Sequence, residues 1–372
     1  MKTVHVPQSE LQVLTVLANG FGDIKPAHVF VFASQMRAFE RISQAAKDLF
    51  PTAHISGCTT AGQLSRFGYD DENAVVMALP SQHFATHTMA INACDLDDGQ
   101  HLIDQLVQAR AGLQAANPDK PNGFAFLLSD GLSLREDILT AAVAPAMGTW
   151  PLFGGSSGDG TRFEATDLGH NGVKVESLAL LTFVATDCDT HVFSLNHLTP
   201  TSRKMVVTSA DPERRIVKEI NAEPAAREYA RIVNCDPEQL DEFTFSAFPV
   251  VVQLGDTYHV RSIQRVNADG ELVFFAAIDE GMVLTIASAE NLSTHLEREL
   301  DKLTRRHASA EIFACDCLLR RIEAEQTQST RAVSEVLMRH RVVGFSTYGE
   351  QIGPLHVNHT MTGVVLARPD DS

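Results

Sequence analysis

The chain has 372 residues, of which 44% are hydrophobic and 21% charged, and this balance predicts a globular protein large enough for two or three domains. Its formal net charge of −17 argues against bulk electrostatic binding of nucleic acid or of an anionic membrane, since both require a basic surface. The first eight residues lack the apolar segment of a signal peptide, and no later apolar run has the length of a membrane span. We therefore expect a cytoplasmic protein.

Three stretches of the chain repeat one pattern. Each predicts a strand, an amphipathic helix, a second strand and a turn of small residues with paired hydroxyls, followed by an outgoing strand. The distance from first strand to turn is roughly 30 residues, which is the size of a strand–helix–strand unit. The predicted strand, helix, strand and turn are 28–32, 36–49, 54–56 and 57–62 in the first copy; 124–128, 137–147, 151–153 and 154–160 in the second; and 311–315, 329–338, 342–345 and 344–351 in the third.

The region between the second and third copies has a different character. Its short apolar runs are joined by glycine- and aspartate-containing turns, which favours antiparallel hairpins. The repeat rhythm breaks near Pro200, so we predict domains at 1–200 and 201–372. The predicted fold class is α/β, with mixed sheets and flanking helices, repeated strand–helix–strand units and a more antiparallel middle region.

The three turns do not match a known catalytic or phosphate-binding motif. None is followed at once by a helix with lysine, as a phosphate-binding loop requires. A hydrolase would use Ser156, Ser346 or Thr347 as nucleophile, but no Gly-x-Ser-x-Gly elbow opens a predicted helix at either turn. Hydroxyls in such turns usually bind nearby backbone groups. A Ser/Thr-dependent hydrolase assisted by His356 and Glu350 is retained as the enzymatic alternative.

The segment after the third turn is the best candidate for ligand binding. If it is a strand, alternation places His356, Asn358, Thr360 and Thr362 on one face. Such a row beside the turn offers the convergent donors and acceptors of a small-ligand pocket, although these side chains could instead cap turn backbone groups. With two hydroxyls of the first turn added, the predicted ligand-binding residues are Tyr348, Gly349, Glu350, His356, Asn358, Thr360, Thr59 and Thr60.

These segments resemble a known family. GFSTYGEQ (344–351) followed by HVNHT (356–360) resembles the C-terminal signature of FIST-domain proteins, and ISGCTTAG (55–62) and GGSSGDG (154–160) resemble their N-terminal part. The resemblance runs from about Val29 to Ala367 and makes the two predicted domains a FIST N-terminal sensory domain and a FIST C-terminal domain. It implies a non-enzymatic, intracellular signal-transduction sensor that binds a small ligand.

One branch of that family implies a cofactor and partners. Its nitric-oxide-sensing members bind haem and pair with histidine kinases, and segment 259–281 resembles proteins of this type. The resemblance therefore implies haem b, held non-covalently because no Cys-x-x-Cys-His motif occurs, with His356 as the candidate axial ligand and His170, His259 and His340 as alternatives. A sensor histidine kinase, or a cyclase in a cyclic-di-nucleotide pathway, would be the partner, and a homodimer is compatible with this. A haem-free amino-acid or metabolite sensor is the alternative.

Overall fold

The computed structural model describes residues 1–255, 257–305 and 310–368. Its strands form three mixed six-stranded sheets and one antiparallel eight-stranded sheet, with helices packed outside the mixed sheets. The predicted α/β class, with repeated units and a more antiparallel middle region, is confirmed. Among the described helices, none combines the length and the apolar character needed to cross a bilayer.

The first two repeats occupy the N-terminal half. The chain begins with β1 (Lys2–Pro7) and α1 (Val13–Phe21). The first repeat is β2 (Pro26–Ala33), α2 (Met36–Leu49), β3 (His54–Thr59), a hairpin of β4 (Gln63–Ser65) and β5 (Gly68–Asp70), β6 (Asn73–Pro80) and β7 (Phe84–Ile91). A 3₁₀ helix (Ala93–Leu96) and α3 (Gly99–Ala116) lead to the second repeat. This is β8 (Asn122–Ser129), α4 (Glu136–Val143) with a 3₁₀ turn (Ala144–Met147), β9 (Leu152–Ser156), a hairpin of β10 (Leu168–His170) and β11 (Val173–Val175), β12 (Ala179–Thr186) and β13 (Asp189–Leu195).

The antiparallel sheet forms a middle domain, which we define as residues 198–289. Its elements are β14 (Leu198–Asp211), β15 (Ile216–Ile220), β16 (Glu223–Pro224), α5 (Ala225–Val233), a 3₁₀ helix (Pro237–Gln239), α6 (Glu242–Ala247), β17 (Val250–Leu254), β18 (Thr257–Val260), β19 (Ile263–Val266), β20 (Leu272–Phe274) and β21 (Val283–Ala289). Helix α7 (Leu292–Thr304) leads to the third repeat. This is β22 (Glu311–Cys317), α8 (Leu318–Gln326), α9 (Thr330–Arg339), β23 (Val342–Thr347), a hairpin of β24 (Glu350–Ile352) and β25 (Leu355–Val357), and β26 (Met361–Ala367).

The three repeats share one strand arrangement, and we call them together the repeat body. In each, two parallel strands are joined through a helix, or through two helices in the third repeat, and a third strand returns antiparallel to the first: β2, β3 and β6; β8, β9 and β12; β22, β23 and β26. The hairpin after each turn joins the sheet of another repeat. Hairpin β4–β5 pairs with β23, β10–β11 with β3, and β24–β25 with β9. The repeats are therefore interlocked rather than stacked.

Phenylalanines from all three sheets form the common core of the repeat body. Ring centroids lie 5.3 Å apart for Phe30 and Phe126, 4.7 Å for Phe126 and Phe313, and 4.5 Å for Phe32 and Phe345. The strands alternate these residues with smaller apolar ones that face the outer helices. Phe39 and Ile42, for example, lie on the buried face of α2 and pack against Val29 and Val31 of the sheet. Both faces of each sheet are thus covered, which explains the near-continuous apolar strand sequences.

A glycine in the second parallel strand marks the same place in every repeat. A Cβ atom built on Gly57 would lie 1.9 Å from the carbonyl oxygen of Val31, and the corresponding clashes are 2.2 Å for Gly154 and 1.8 Å for Gly344, each with the preceding parallel strand. Only glycine permits so close an approach of two backbones. These glycines come two residues before the paired hydroxyls, so the sequence repetition reflects a repeated backbone geometry.

Candidate functional site

The three glycine–hydroxyl turns meet in a buried junction. The Ala61 N–H donates to the carbonyl oxygen of Ser346, the Ser156 N–H to that of Gly349, and the Gly158 N–H to that of Thr59, each at 2.9 Å. The Thr347 hydroxyl donates to the carbonyl oxygen of Ser156 at 2.7 Å. The turns therefore satisfy one another's backbone groups, and their first role is to hold the three repeats together.

The two predicted residues of the first turn belong to this junction. Thr59 Oγ1 accepts the backbone N–H of Asp167 at 2.9 Å, and Thr60 Oγ1 lies 2.7 Å from the side-chain amide of Gln63. Both threonines are buried. Thr59 also borders a surface cavity of about 360 Å³ near the start of α2. The described hydrogen bonds do not join Thr59 or Thr60 to the segment around His356.

The other predicted residues gather around the third turn. Glu350 Oε2 accepts the N–H and the hydroxyl of Thr360, at 3.2 and 2.7 Å, and Asn358 Nδ2 lies 3.4 Å from the carbonyl oxygen of Tyr348. Glu350 Oε1 and Asn358 Oδ1 have no hydrogen-bond partner among the described residues. Burial raises the pKa of Glu350 well above its usual range, which favours the neutral acid. We call this group, with Gln351 and His356, the signature cluster.

The predicted strand through this segment is interrupted. Strand β25 ends at Val357, β26 begins at Met361, and His359 between them has a φ of 57°, which is left-handed. Simple alternation of faces therefore does not hold from His356 to Thr362. The residues expected on opposite faces of this strand are all buried. The left-handed turn places the His359 side chain against Glu323.

The surroundings of His356 do not fit a haem. The Nδ1 atom lies 3.4 Å from Gln351 Nε2. The Nε2 and Cε1 atoms pack against Gly349 so closely that a Cβ there would lie 2.8 and 2.2 Å from them. The residue is 2% exposed, and burial lowers the pKa of its imidazole. A porphyrin has no space beside either ring nitrogen. Of the alternatives, His340 lies 3.4 Å from Asp301 and from Thr304, and His170 bonds Asn171 at 3.0 Å.

The hydroxyls proposed as nucleophiles are not paired with a base. Ser156 Oγ bonds the hydroxyl of Ser129 and the amide of Gln351, and the Thr347 hydroxyl donates to backbone carbonyls. Ser346 Oγ has no partner within residues 1–255, 257–305 and 310–368. A serine or threonine nucleophile requires an adjacent general base, and no described hydrogen bond supplies one.

Tyr348 belongs to the third turn (344–351), and its side chain lines a cavity. Its ring stacks on Phe163 with centroids 4.3 Å apart, and its hydroxyl donates to the carboxylate of Asp159. Burial and this carboxylate raise the pKa of the Tyr348 phenol. The cavity beside it measures about 210 Å³ and lies between the repeat body and the middle domain; we call it the cleft. Its lining includes Gly131, Glu136, Phe163 and Tyr348 from the repeat body, and Arg214, Arg215, Gln264, Arg265, Phe274 and Phe275 from the middle domain.

Several specific contacts join the repeat body to the middle domain in and beside the cleft. Arg215 Nη2 lies 2.5 Å from Glu136 Oε2, and both residues are buried. Arg261 Nη1 donates to the carbonyl oxygen of His356 at 3.2 Å, so His356 contacts the middle domain through its backbone. Phe163 and Phe275 face each other at 5.8 Å. Gly131 and Tyr348 follow β8 and β23, which places the cleft at the carboxyl ends of parallel strands, where α/β proteins commonly bind ligands.

A second buried group was not predicted from the sequence. His197 Nε2 and His359 Nε2 lie 2.9 and 2.8 Å from Glu323 Oε2, and Arg320 donates to His197 Nδ1 at 3.1 Å. Arg320 also donates to Asp316 at 2.7 Å. We call these five residues the histidine cluster. Burial lowers the pKa of His197 to about 4, although Glu323 opposes the shift. Burial alone would raise the pKa of Glu323, but its hydrogen bonds to the two imidazoles hold it below its usual range.

The histidine cluster has the composition of a metal site but the hydrogen bonding of a network. The ligand atoms of His197, Glu323 and His359 all lie within 4.8 Å of one another. A metal would need the lone pair of His197 Nε2, and the proton would then sit on Nδ1, facing the Arg320 N–H. Arg320 instead selects the tautomer whose Nε2–H donates to Glu323. The arrangement therefore favours a charge-assisted network over a bound cation.

Comparisons with known proteins agree with this fold and these signature segments. The FIST N domain model matches residues 27–223, which is more than half of the chain, and the FIST C domain model matches residues 225–353. Curated proteins give no significant match. The domain division near Pro200 stays a prediction. The chain therefore belongs to the FIST family, whose domains are associated with signal-transduction sensing of small ligands.

Proposed function

We propose that this protein is a sensor whose small ligand binds in the cleft and changes the relation between the repeat body and the middle domain. The observation that carries the proposal is the position of Tyr348. It belongs to the family's signature turn, and its side chain lines a cavity whose opposite wall is the middle domain. The other signature side chains serve packing and hydrogen bonding, both within the third repeat and between it and the second.

The cleft is suited to coupling ligand binding to a change in domain arrangement, because one wall belongs to the repeat body and the other to the middle domain. A ligand that contacts Tyr348 and Phe163 on one side and Phe275 or Arg265 on the other would bind the closed arrangement more tightly than an open one. Such differential affinity shifts the population of the two arrangements. The buried pair of Arg215 and Glu136 resists full separation, since parting them would leave two uncompensated charges.

The output of the sensor would be read by another protein. Family membership supports a signalling partner, and we propose a sensor histidine kinase or a cyclase in that role, with the middle domain as the moving part. We propose a haem-free ligand, an amino acid or a similar metabolite. The cavity of about 210 Å³ is smaller than the roughly 300–1000 Å³ typical for drug-sized ligands, which suits a compact metabolite.

A metabolite panel screened by thermal unfolding tests the site. A true ligand raises the melting temperature of the wild type through linkage. Gln264→Trp fills the cleft, so the same compound should no longer stabilise this variant. Leu11→Trp, at an 81% exposed position, is the control for adding a large ring. Equal stabilisation of the wild type and Gln264→Trp by every active compound would contradict the proposed site.

Haem reconstitution supplies a separate test of the haem-free version. The packing of His356 predicts that added haem gives no Soret band characteristic of a histidine-ligated haem in the purified protein. A stoichiometric Soret band that disappears in His356→Ala would overturn the haem-free proposal.

A further inference from the structure

The cleft has a positive charge that is unusual for this chain. Three arginines line it, namely Arg214, Arg215 and Arg265, against one carboxylate, Glu136, whereas the whole chain carries a net charge of −17. Among the described residues, neither Arg214 nor Arg265 forms an ion pair with an acidic side chain, and both arginines are exposed to solvent. An isolated cationic site on an acidic protein attracts and concentrates small anions.

One buried donor in the cleft is left unsatisfied. Arg215 is 4% exposed; its Nη1 donates to the carbonyl oxygen of Phe275 and its Nη2 to Glu136, yet its Nε has no acceptor in the part of the chain that the structure describes. A buried guanidinium N–H without an acceptor costs free energy. The Nε atom itself is enclosed, so a carboxylate in the cleft would reach it only after a small rearrangement of the Arg215 side chain.

The other side chains that line the cleft indicate which kind of ligand skeleton would bind there. Four aromatic rings line the same cavity: Phe163, Phe274, Phe275 and Tyr348. Phe163 already stacks on Tyr348 and meets Phe275 at a tilted angle of 46°, so flat faces and edges are both presented. Aromatic rings prefer such offset and edge-on arrangements, which adds to the free energy from burial.

The acidic groups of the cleft are not available to an ammonium group. Glu136 is engaged by Arg215, and the neighbouring Asp137 lies 3.7 Å from Arg215 and accepts the N–H of Ala277. A zwitterionic amino acid would bring its ammonium group among three arginines without a free carboxylate to bind it. This favours an acid without an amino group.

We infer that the ligand class of the cleft is a small aromatic carboxylic acid, with its carboxylate on the arginines and its ring against the aromatic side chains that line the cavity. This inference depends on the proposed cleft function and narrows it. The amino-acid version of the sensor becomes the competing outcome. A second cavity of about 70 Å³, which shares Phe163, Gln264 and Phe275, is not needed by this ligand.

Isothermal titration with four matched probes tests the inference on the full chain. Phenylacetate should bind, and its neutral isostere phenylacetamide should bind at least about tenfold more weakly, because charge-assisted hydrogen bonds are lost. Acetate, which lacks the ring, and phenylalanine, which adds the ammonium group, should also bind at least about tenfold more weakly. Phenylalanine binding as tightly as phenylacetate would overturn the inference.

Variants locate the binding. Arg265→Gln should weaken phenylacetate binding at least about fivefold, whereas Arg331→Gln, at an exposed arginine of α9, should leave it unchanged. Ser262→Ala, which alters only the smaller cavity, should also leave it unchanged. Phenylacetate binding that persists in both Arg265→Gln and Gln264→Trp would refute this site.

The outcomes also separate the inference from the proposed function. If phenylacetate fails to bind the wild type while another panel compound binds in a manner abolished by Gln264→Trp, the ligand class is wrong and the cleft sensor stands. If phenylacetate binds Gln264→Trp as tightly as it binds the wild type, both the ligand class and the cleft sensor are wrong.

Discussion

The signature cluster of the third repeat and the histidine cluster, which joins that repeat to His197 beside the middle domain, are both buried, but they solve the problem of buried polar groups differently. Glu350 faces hydroxyl and amide groups without a neighbouring cation in its hydrogen bonds, and its pKa rises toward the neutral acid. Glu323 receives two imidazole donors, and its pKa falls. The comparison shows that partners, rather than burial alone, decide whether a carboxyl group in this protein keeps its charge.

The largest expected effect is on the charged cluster. Arg320→Met leaves Asp316 buried, with the Tyr69 hydroxyl as its one remaining side-chain partner among the described residues, and removes the donor to His197. We expect a loss of about 3–5 kcal/mol in the free energy of unfolding, measured by urea denaturation. Arg331→Met, which removes an exposed pair with Glu335, should cost below about 0.5 kcal/mol. A similar cost for both variants would mean that Asp316 does not depend on Arg320.

A glycine of the signature turn should also be costly to replace, for a reason unrelated to charge. Gly344→Ala places a Cβ 1.8 Å from the Ala314 carbonyl oxygen at a φ of 151°, so two paired strands must separate. We expect a loss of about 3 kcal/mol, seen as a lower melting temperature. Gly99→Ala, in open space at the start of α3, should be neutral or stabilising. A tolerated Gly344→Ala would undermine the structural role assigned to the turn.

The stability that the histidine cluster contributes should depend on pH through His197. His197 has a pKa of about 4 in the folded protein against 6.5 when unfolded, so the unfolded chain binds more protons between these values. Its contribution to stability is complete above pH 6.5 and is lost as the pH falls toward 4, by roughly 3 kcal/mol in all. In His197→Gln this part of the pH dependence should disappear from denaturation curves. An unchanged pH profile in the variant would show that His197 does not carry it.

The smallest effect is expected at the signature cluster. If Glu350 is neutral in the folded protein, Glu350→Gln keeps an acceptor for both Thr360 donors and removes no charge. The free energy of unfolding at neutral pH should change by less than about 1 kcal/mol. The mutation Thr360→Val, which removes the hydroxyl donor and keeps the backbone N–H, provides a comparison. A loss of several kcal/mol in Glu350→Gln would show that the carboxylate is charged and would erase the contrast between the clusters.

Local sequence patterns were sufficient to identify the repeats. The apolar runs 28–32 and 124–128 lie within β2 and β8, and the periodic apolar residues of 36–49 lie in α2. These elements could be predicted because burial on a sheet or on a helix face imposes its period on the sequence. The recurrence of Gly57, Gly154 and Gly344 was informative for the same reason. Each glycine satisfies a steric requirement that is local to two paired strands.

Tertiary contacts determined what the sequence did not predict. The three-residue strands β4 and β24 are too short to carry a periodic signal, and their partners lie in other repeats. His197 and Glu323 are 126 residues apart and meet only because the repeats interlock, so no motif spacing could reveal the histidine cluster. The cleft likewise assembles from separate segments, and of the predicted site residues only Tyr348 lines it.

The exchange of strands between repeats has a consequence for chain connectivity. Strand β7 leaves the first repeat to edge the second sheet, and β13 leaves the second to edge the third, while β1 occupies the equivalent edge of the first sheet. Met1 and Leu366 both neighbour Glu311, so β26 ends close to where β1 begins. The architecture is that of a closed ring of three units, and a circular permutant joined there and opened between β12 and β13 would preserve every strand pairing.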